Sequence, residues 1–221
     1  AAYHETRDRK AVLMALAEIS YLRSHLTFTR STVIAGAPVP WSSDEVPVSL
    51  RKVVNYCITK NSYKPFLHAT VGHFAHKISD SEFLTSIRKS NFNDLAKTGL
   101  VRVKTDGPDT VLAYGAKPSV GGQSQRIVFH DHPGYDCIVH FHCPLKANPK
   151  DKIPTVSQRE VECGSHECGR NTSKGLAEFP EYGVKAVYLD SHGPNIVFNK
   201  EADPAKVIQF IASKVENVDA S

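Results

Sequence analysis

The sequence lacks the features that mark specialised classes of protein. No apolar run approaches the ~20 residues that a membrane-spanning helix needs. No segment of low complexity and no charged tail interrupts the 221 residues. The net charge of +4 arises from 27 basic and 23 acidic residues that are interleaved along the chain, so no basic patch indicates a nucleic-acid partner. With 41% hydrophobic residues, the chain predicts a globular protein with one sizeable core and no membrane association.

The sequence also lacks a secretory signal at its start, and its five cysteines are an odd number. Both observations favour a reducing, cytoplasmic location over a disulfide-stabilised secreted protein. The first residues are Ala1, Ala2 and Tyr3 rather than Met. We therefore expect a processed product or one domain of a longer polypeptide.

The chain divides by composition near residue 45. Apolar residues at spacings of three and four predict an amphipathic helix over residues 6–25. Residues 35–44 are rich in Gly, Pro and Ser, which is typical of a linker. We therefore predict an N-terminal helix and linker over residues 1–45 and one main domain over residues 46–221.

The main domain has the pattern of a sheet with helices between some of its strands. A helix is predicted over residues 49–59, and Asp203 followed by Pro204 indicates the start of a final helix. Between them, short apolar segments alternate with turns, as in an α/β fold. The predicted strands are residues 66–71, 74–78, 100–104, 111–114, 137–143, 186–190 and 195–198.

The segment CIVHFHCP, residues 137–144, is the most informative in the chain. Side chains two positions apart on a strand point the same way, so His140 and His142 present two imidazoles on one face. Imidazole suits Zn²⁺, and a catalytic zinc site needs a third protein ligand and an open position. The strongest third candidate is His192, in a short turn between two strand-like runs.

Two alternatives compete with this zinc site. The three histidines are ordinary polar side chains in the simpler interpretation, although two imidazoles buried together without a cation are hard to satisfy with hydrogen bonds. Cys163, His166 and Cys168 form a rival cluster. A structural zinc site usually has two paired groups of ligands, and only one such group is present, so a loop with free thiols is the favoured interpretation.

The motifs together resemble the class II aldolase/adducin family. The His-x-His strand is followed by Pro144, preceded by Lys117-Pro118-Ser119, and followed later by a strand that ends in His192-Gly193. The resemblance extends over roughly residues 46–215. It implies a three-layer α/β fold in which helices flank a central, mostly antiparallel β-sheet. It also implies a cyclic homotetramer and one Zn²⁺ per subunit, held by His140, His142 and His192.

The resemblance implies action on small phosphorylated sugars, but the sequence departs from the family at the usual proton donor. The family's aldolases have a glutamate two residues after the serine of the Lys-Pro-Ser motif, where this chain has Gly121. Glycine cannot move a proton, so the catalytic acid/base is not identified. Other groups are available, and none is favoured by its spacing: His130, Asp131, His132, Glu160 and Glu162.

A second departure concerns substrate binding. Family members often hold the substrate phosphate with a Gly-Asn turn and a Thr/Ser-Gly turn, but the first of these is here Gly72-His73. Hydroxyl groups and cations suited to a phosphate dianion remain nearby, although Arg88 and Lys89 equally suit a solvated surface pair. The candidate substrate-binding residues are Thr85, Ser86, Arg88, Lys89 and Ser119.

Three functions are consistent with these residues. The first is a zinc-dependent aldolase-type lyase, or an epimerase or dehydratase of the same superfamily, acting on a small sugar phosphate through a metal-stabilised enediolate. The second is a catalytically altered domain that serves ligand binding or assembly within a larger protein, as Gly121 suggests. The third is hydrolysis by a zinc-bound hydroxide, for which the sequence offers no hydrolase motif.

Overall fold

The computed structural model describes residues 9–119, 122–147, 152–159 and 161–216. Six α-helices occur in these ranges: α1 (Arg9–Ser24), α2 (Val48–Thr59), α3 (Leu95–Thr98), α4 (Gly122–Asp131), α5 (His166–Gly175) and α6 (Pro204–Lys214). The strands of the first half are β1 (Arg30–Ile34), β2 (Pro65–Phe66), β3 (Ala69–Thr70), β4 (His73–Lys77), β5 (Glu82–Ser86), β6 (Leu100–Thr105) and β7 (Thr110–Tyr114). Those of the second half are β8 (Cys137–His140), β9 (Thr155–Val156), β10 (Ala177–Phe179), β11 (Val184–Leu189) and β12 (Gly193–Phe198).

One large sheet dominates the structure. Its strand order is β1-β7-β6-β5-β4-β8-β12-β11-β10, and β9 pairs with β11. The pairings are antiparallel except for β1 with β7 and β9 with β11. The short β2 and β3 form a separate hairpin. The predicted α/β fold with a central, mostly antiparallel sheet is therefore confirmed.

Helices cover both faces of the sheet. On one face, α2 and α6 pack together over a core that includes Leu50, Phe74, Val139 and Phe210. On the other face, α4 covers a core around Ile138, and α5 packs against α4. Neighbouring residues of β8 thus point to opposite cores, as the alternation of side chains along a strand requires. The result is three layers, and His140 lies on the same side of β8 as Ile138, toward α4.

The N-terminal segment takes part in the sheet. β1 pairs with β7 in parallel, and Val39 bridges to Leu100, so residues before position 45 contact the main domain directly. The division at residue 45 remains a prediction. The predicted N-terminal helix is present as α1, but its apolar side chains are exposed in this chain, including Leu13, Leu16 and Ile19.

Strand boundaries correct the sequence-based expectations at three places. β8 ends at His140 rather than at Cys143, so His142 lies just beyond the strand. The predicted strand over residues 66–71 is instead the end of β2, a turn and β3, because Leu67 adopts a positive φ of 55° that breaks the extended chain. β5 was not predicted. No helix in the described ranges is long and apolar enough to cross a membrane.

Candidate active site

The predicted metal-binding histidines lie at the end of β8, in the middle of the sheet. β8 is hydrogen-bonded to β4 on one side and to β12 on the other. The register places His73 of β4 and Asn195 of β12 directly opposite His140. His140 therefore has one cross-strand neighbour on each side. One of the two, His73, carries a further imidazole, which was noted from the sequence only as a substitution for the asparagine of the Gly-Asn turn.

Two glycines allow the chain to approach this end of β8 closely. Gly72 precedes His73 with a φ of 125°, and a Cβ there would lie 2.5 Å from the His140 carbonyl oxygen. Gly193 follows His192 with a φ of 117°, and a Cβ there would lie 2.1 Å from the carbonyl oxygen of Phe141. Both the backbone angle and the missing side chain are needed at these positions. Each glycine thus brings a neighbouring histidine up to β8.

Four histidine rings meet as a result. The ring centroids of His73 and His140 are 4.9 Å apart, those of His140 and His142 are 5.0 Å apart, and those of His142 and His192 are 6.0 Å apart. Two imidazoles on one zinc ion, with Zn–N bonds of about 2.0–2.1 Å in tetrahedral geometry, have centroids about 5 Å apart. The three histidines predicted from sequence are therefore neighbours, but no three of the four rings bring ligand nitrogens within 4.8 Å of one another.

His140 is held in the tautomer that a metal ligand needs. Its Nδ1 lies 2.8 Å from the carbonyl oxygen of Pro194, which can only accept a hydrogen bond, so Nδ1 carries the proton. Nε2 is then an unprotonated acceptor, and it is buried without a hydrogen-bond partner. A buried polar atom without a partner is costly. A bound cation would supply the missing partner of this one nitrogen.

Three of the four imidazoles, those of His73, His140 and His142, are kept neutral. Burial, with repulsion from His142, lowers the pKa of His73 to about 3. Burial, with repulsion from His192 and Lys64, lowers the pKa of His142 to about 4. Burial and the neighbouring histidines also lower the pKa of His140 well below its usual range. These nitrogen lone pairs remain available for a metal at neutral pH, because protons do not compete for them.

The predicted substrate-binding hydroxyls lie beside this group. The Oγ atoms of Ser86 and Ser119 are 2.7 Å apart, and the Ser119 backbone N–H donates to the Ser86 carbonyl oxygen. The Ser86 Oγ also accepts from the Phe74 backbone N–H, next to His73. Thr85 and Ser86 are both fully buried, and the Thr85 hydroxyl donates to the Gln125 side-chain oxygen. Ser119 is partly exposed.

The two predicted cations follow β5 on the surface. Arg88 and Lys89 are both exposed, and Lys89 adopts a positive φ of 57° at the turn. The Arg88 backbone N–H donates to the carbonyl oxygen of Lys117, so the turn is joined to the Lys-Pro-Ser segment. This hydrogen bond joins the backbone of Arg88 to the segment that carries Ser119.

A cavity of about 470 Å³ opens beside His142 and His192. Lys64 and Tyr188 also line it, and no lining residue among those described carries a carboxylate. The Lys64 ammonium therefore has no carboxylate to balance it in this lining, which favours an anionic or oxygen-rich ligand. The described part of the chain has a larger cavity, of about 640 Å³, but it lies along α4 near Phe129 and His130 and includes none of the four histidines.

The alternative proton donors are occupied elsewhere or lie outside the described residues. His132 contacts the carbonyl and hydroxyl oxygens of Ser173 on α5. His130 is exposed and contacts Asp131, whose carboxylate also accepts from the Ser173 hydroxyl. The prediction at Gly121 falls outside the described residues, as does Glu160. The catalytic acid/base thus stays unassigned.

Another group of possible ligands lies at the opposite end of β4 and β8. The ligand atoms of His76, Asp136 and Cys137 all lie within 4.8 Å of one another, and in the described ranges no other three such side chains are gathered this tightly. His76 Nδ1 is 3.0 Å from the Asp136 carbonyl oxygen, and the Asp136 carboxylate accepts from the Lys200 backbone N–H. Hydrogen bonds already account for this cluster.

The rival cysteine cluster lies away from the histidines, at the start of α5. Ser165 caps this helix by accepting from the Cys168 backbone N–H, and Gln158 donates to the Cys168 Sγ. Hydrogen bonds, chiefly from the Cys163 thiol, lower the pKa of Cys168 to about 5. The two cysteine side chains thus hydrogen-bond to each other, and His166 contacts Thr29 instead of completing a set of ligands.

The large central sheet with helices on both faces is a class II aldolase-like fold, as the resemblance predicted. The structure is similar to L-fuculose 1-phosphate aldolase, with a TM-score of 0.53 and 17% identity over 78% of this chain and 82% of that chain. It is also similar to a sugar-phosphate aldolase from Thermotoga maritima, with a TM-score of 0.52 and 16% identity over 73% of this chain and 92% of that chain. No protein-family model and no curated protein sequence matches this chain.

Proposed function

We propose that this protein is a zinc-dependent lyase of the aldolase type, or an epimerase or dehydratase with the same metal chemistry, acting on a small phosphorylated sugar. The observation that carries the proposal is the buried, unpartnered Nε2 of His140 between other neutral imidazoles. His140, His142 and His192 are the proposed ligands. Zn²⁺ bound there would act as a Lewis acid toward a carbonyl oxygen and an adjacent hydroxyl oxygen of the substrate.

The residues near the histidines are the candidates for binding the phosphate of the substrate. Ser119 presents a partly exposed hydroxyl that is hydrogen-bonded to that of Ser86, and Arg88 and Lys89 are exposed cations that follow β5. Hydrogen bonds between such groups and a phosphate dianion are charge-assisted, which fixes the far end of a substrate. We therefore propose that Ser119, Arg88 and Lys89 bind the phosphate. We assign no contact with substrate to Thr85 or Ser86, because both side chains are fully buried and their hydroxyls are engaged by Gln125 and Ser119.

The cavity beside His142 and His192 is the proposed place for the reacting carbons. It admits a ligand of a few carbon atoms, and Lys64 lies at its wall. Its cationic lining favours the negative charge that develops on the substrate oxygens when a carbon–carbon bond breaks or a proton leaves. The fold of the similar sugar-phosphate aldolases supports the choice of substrate class. Assembly into a homotetramer is part of the proposal.

A substrate screen tests this function. Purified protein, loaded with one equivalent of Zn²⁺, is incubated with a panel of ketose phosphates, and aldehyde release, epimerised product and loss of water are each measured. We expect turnover of at least one member, and we expect its loss when a chelator removes the metal. Metal-independent turnover, or no turnover of any member by metal-loaded protein, contradicts the proposal.

A further inference from the structure

Cys163 and Cys168 take no part in the proposed zinc chemistry, and they lie beside each other at the start of α5. Cys168 is in the first turn of this helix and is 1% exposed, whereas Cys163 precedes the helix and is partly exposed. Both cysteines are free, and their side chains hydrogen-bond to each other. Because the two sulfur atoms are already in contact, a disulfide bond of about 2.05 Å requires only a small further approach.

We propose that Cys163 and Cys168 form a site of reversible covalent modification, at which a small-molecule disulfide adds to Cys163 and Cys168 then displaces it to close an intramolecular disulfide bond. The oxidant is a low-molecular-weight disulfide of the glutathione class. This inference goes beyond the proposed function and does not depend on it. Transient disulfides of this kind occur even in reducing compartments.

Hydrogen-bond donors surround the Cys168 sulfur. The Cys163 thiol donates to it, as do the Gln158 side-chain amide at 3.2 Å and the Gly164 backbone N–H. Their combined effect outweighs burial and lowers the pKa of Cys168 to about 5. The position of Cys168 in the first turn of α5 acts in the same direction, because backbone N–H groups at the start of a helix favour a negative charge. Cys168 is therefore a thiolate at neutral pH.

Cys163 supplies the sulfur atom that a reagent in solvent reaches first, since Cys168 is almost completely buried. Its hydrogen bond to Cys168, together with burial, raises the pKa of the Cys163 thiol well above the usual range. A thiol must lose its proton to attack a disulfide. The Cys168 thiolate is the base that accepts this proton, because the hydrogen bond already directs the Cys163 proton to it. The contact thus gives each cysteine a separate task.

Two thiol–disulfide exchanges complete the reaction, and they balance in atoms and electrons. In the first exchange, Cys163 Sγ attacks one sulfur of the oxidant RSSR, the Cys163 proton passes to Cys168, and RS⁻ leaves. In the second, the Cys168 sulfur attacks Cys163 Sγ in the mixed disulfide, and the second RS group leaves with the Cys168 proton as RSH. The pair gives up two electrons, the oxidant gains them, and a dithiol reductant reverses the reaction.

The other three cysteines lie in the core and serve as internal references. Cys57, Cys137 and Cys143 are all buried, and burial raises the pKa of the Cys57 and Cys137 thiols further above neutral pH. Thiols buried in apolar surroundings are unreactive. We therefore expect oxidation of the folded protein to be confined to the pair at α5.

The sequence allows a direct test, because trypsin releases residues 160–170 as one peptide that holds Cys163, Cys168 and no other cysteine. The reduced, folded chain, kept metal-free by a chelator, is incubated with glutathione disulfide at neutral pH, and the remaining thiols are blocked with N-ethylmaleimide. Mass spectrometry without reduction should find this peptide two hydrogen atoms lighter and free of maleimide. Dithiothreitol added before the blocking step should restore both maleimide labels.

Cysteine variants separate the two steps. We expect Cys168→Ser to stop with one glutathione on Cys163, because the sulfur that displaces it is gone. Cys163→Ser should take up glutathione at least about tenfold more slowly, since Cys168 is shielded from solvent. Cys57→Ala is the matched control, because it removes another buried cysteine, and it should close the pair at the wild-type rate.

The outcomes decide the inference without reference to zinc. The light peptide from the folded wild-type chain, restored by dithiothreitol, supports it, and this measurement needs no variant to fold. Unmodified Cys163 and Cys168 in folded protein whose urea-unfolded form reacts would overturn it. Glutathione carried by Cys168 instead of Cys163 would also overturn it. Because the metal-free chain is used, neither result changes the standing of the proposed function.

Discussion

His73 and His140 face each other across β4 and β8, with ring centroids 4.9 Å apart and both rings on the side of the sheet that α4 covers. Burial of two imidazoles in contact is unfavourable unless their nitrogen atoms find partners. Pro194 and Gln125 supply a partner for one nitrogen of each ring. The Nε2 of His140 is buried without a partner, which makes this end of the sheet a candidate metal centre.

The histidine group predicts a pH dependence of stability in the metal-free protein. The pKa of His73 is about 3 when folded, against about 6.5 in an unfolded chain. Below pH 6.5 the unfolded state therefore binds the extra proton, and the free energy of unfolding falls as the pH decreases toward 4. Each such histidine contributes up to about 1.4 kcal/mol per pH unit.

Urea unfolding at pH 7.5, 6.5, 5.5 and 4.5 measures this dependence. Carboxylates contribute to the pH profile as well, so the informative quantity is the difference between the wild-type chain and His73→Asn. We expect a shallower decline in the variant below pH 6.5. Parallel profiles of the two proteins would show that His73 is not held neutral by the fold.

Gly193→Ala should disrupt the turn that carries His192. The added Cβ would lie 2.1 Å from the Phe141 carbonyl oxygen, and the φ of 117° is unfavourable for alanine. We expect a loss of about 2–4 kcal/mol in the free energy of unfolding. Gly107→Ala is the control, since it has a φ of 81° but nothing within 4 Å of its Cβ. Equal losses in both variants would show that the close approach contributes nothing.

Phe141→Ala tests the packing behind the histidines. Phe141 is fully buried between His140 and His142, and its ring contacts that of Tyr63. Removing a buried Phe side chain typically costs about 3–5 kcal/mol of stability. Phe66→Ala, at a position that is 64% exposed, should cost far less in the same thermal or urea unfolding experiment. A stability loss at Phe141 no larger than at Phe66 would contradict the described core.

Arg88→Ala tests the proposed phosphate site. A hydrogen bond to a charged group contributes about 1.5–3 kcal/mol, so its loss should weaken binding of inorganic phosphate at least tenfold. Calorimetric titration of the zinc-loaded protein measures this directly. Lys104→Ala removes an exposed cation from β6 and should leave the phosphate affinity unchanged. An Arg88→Ala variant with wild-type phosphate affinity would leave Arg88 as a solvated surface residue.

The parts of the fold that could be predicted from sequence are those whose hydrophobic pattern is local in the chain. The alternation of side chains in β8 places Ile138 and Val139 in different cores, and the turn around His192 joins two paired strands as expected. β1 was missed because its burial is weak and its partner, β7, is distant in the chain. Such a non-local parallel pairing leaves little trace in local composition.

The histidine site, like the fold, was predictable only where its residues are close together in the sequence. His140 and His142 stand two positions apart on one segment, so their proximity follows from their spacing in the sequence, although β8 ends at His140. The approach of His73 depends on the register between β4 and β8, and a shift by one residue would turn its ring to the other face. The only local signal was Gly72, because a glycine before a buried strand permits close backbone contact.

Metal analysis of the wild-type chain and of His140→Ala, combined with the ketose phosphate screen, tests the central claim most directly. We predict about one zinc ion per wild-type chain after loading, its loss in His140→Ala, and metal-dependent turnover by the wild-type protein alone. Wild-type metal content in His140→Ala, or a wild-type chain that binds no metal, would contradict the account.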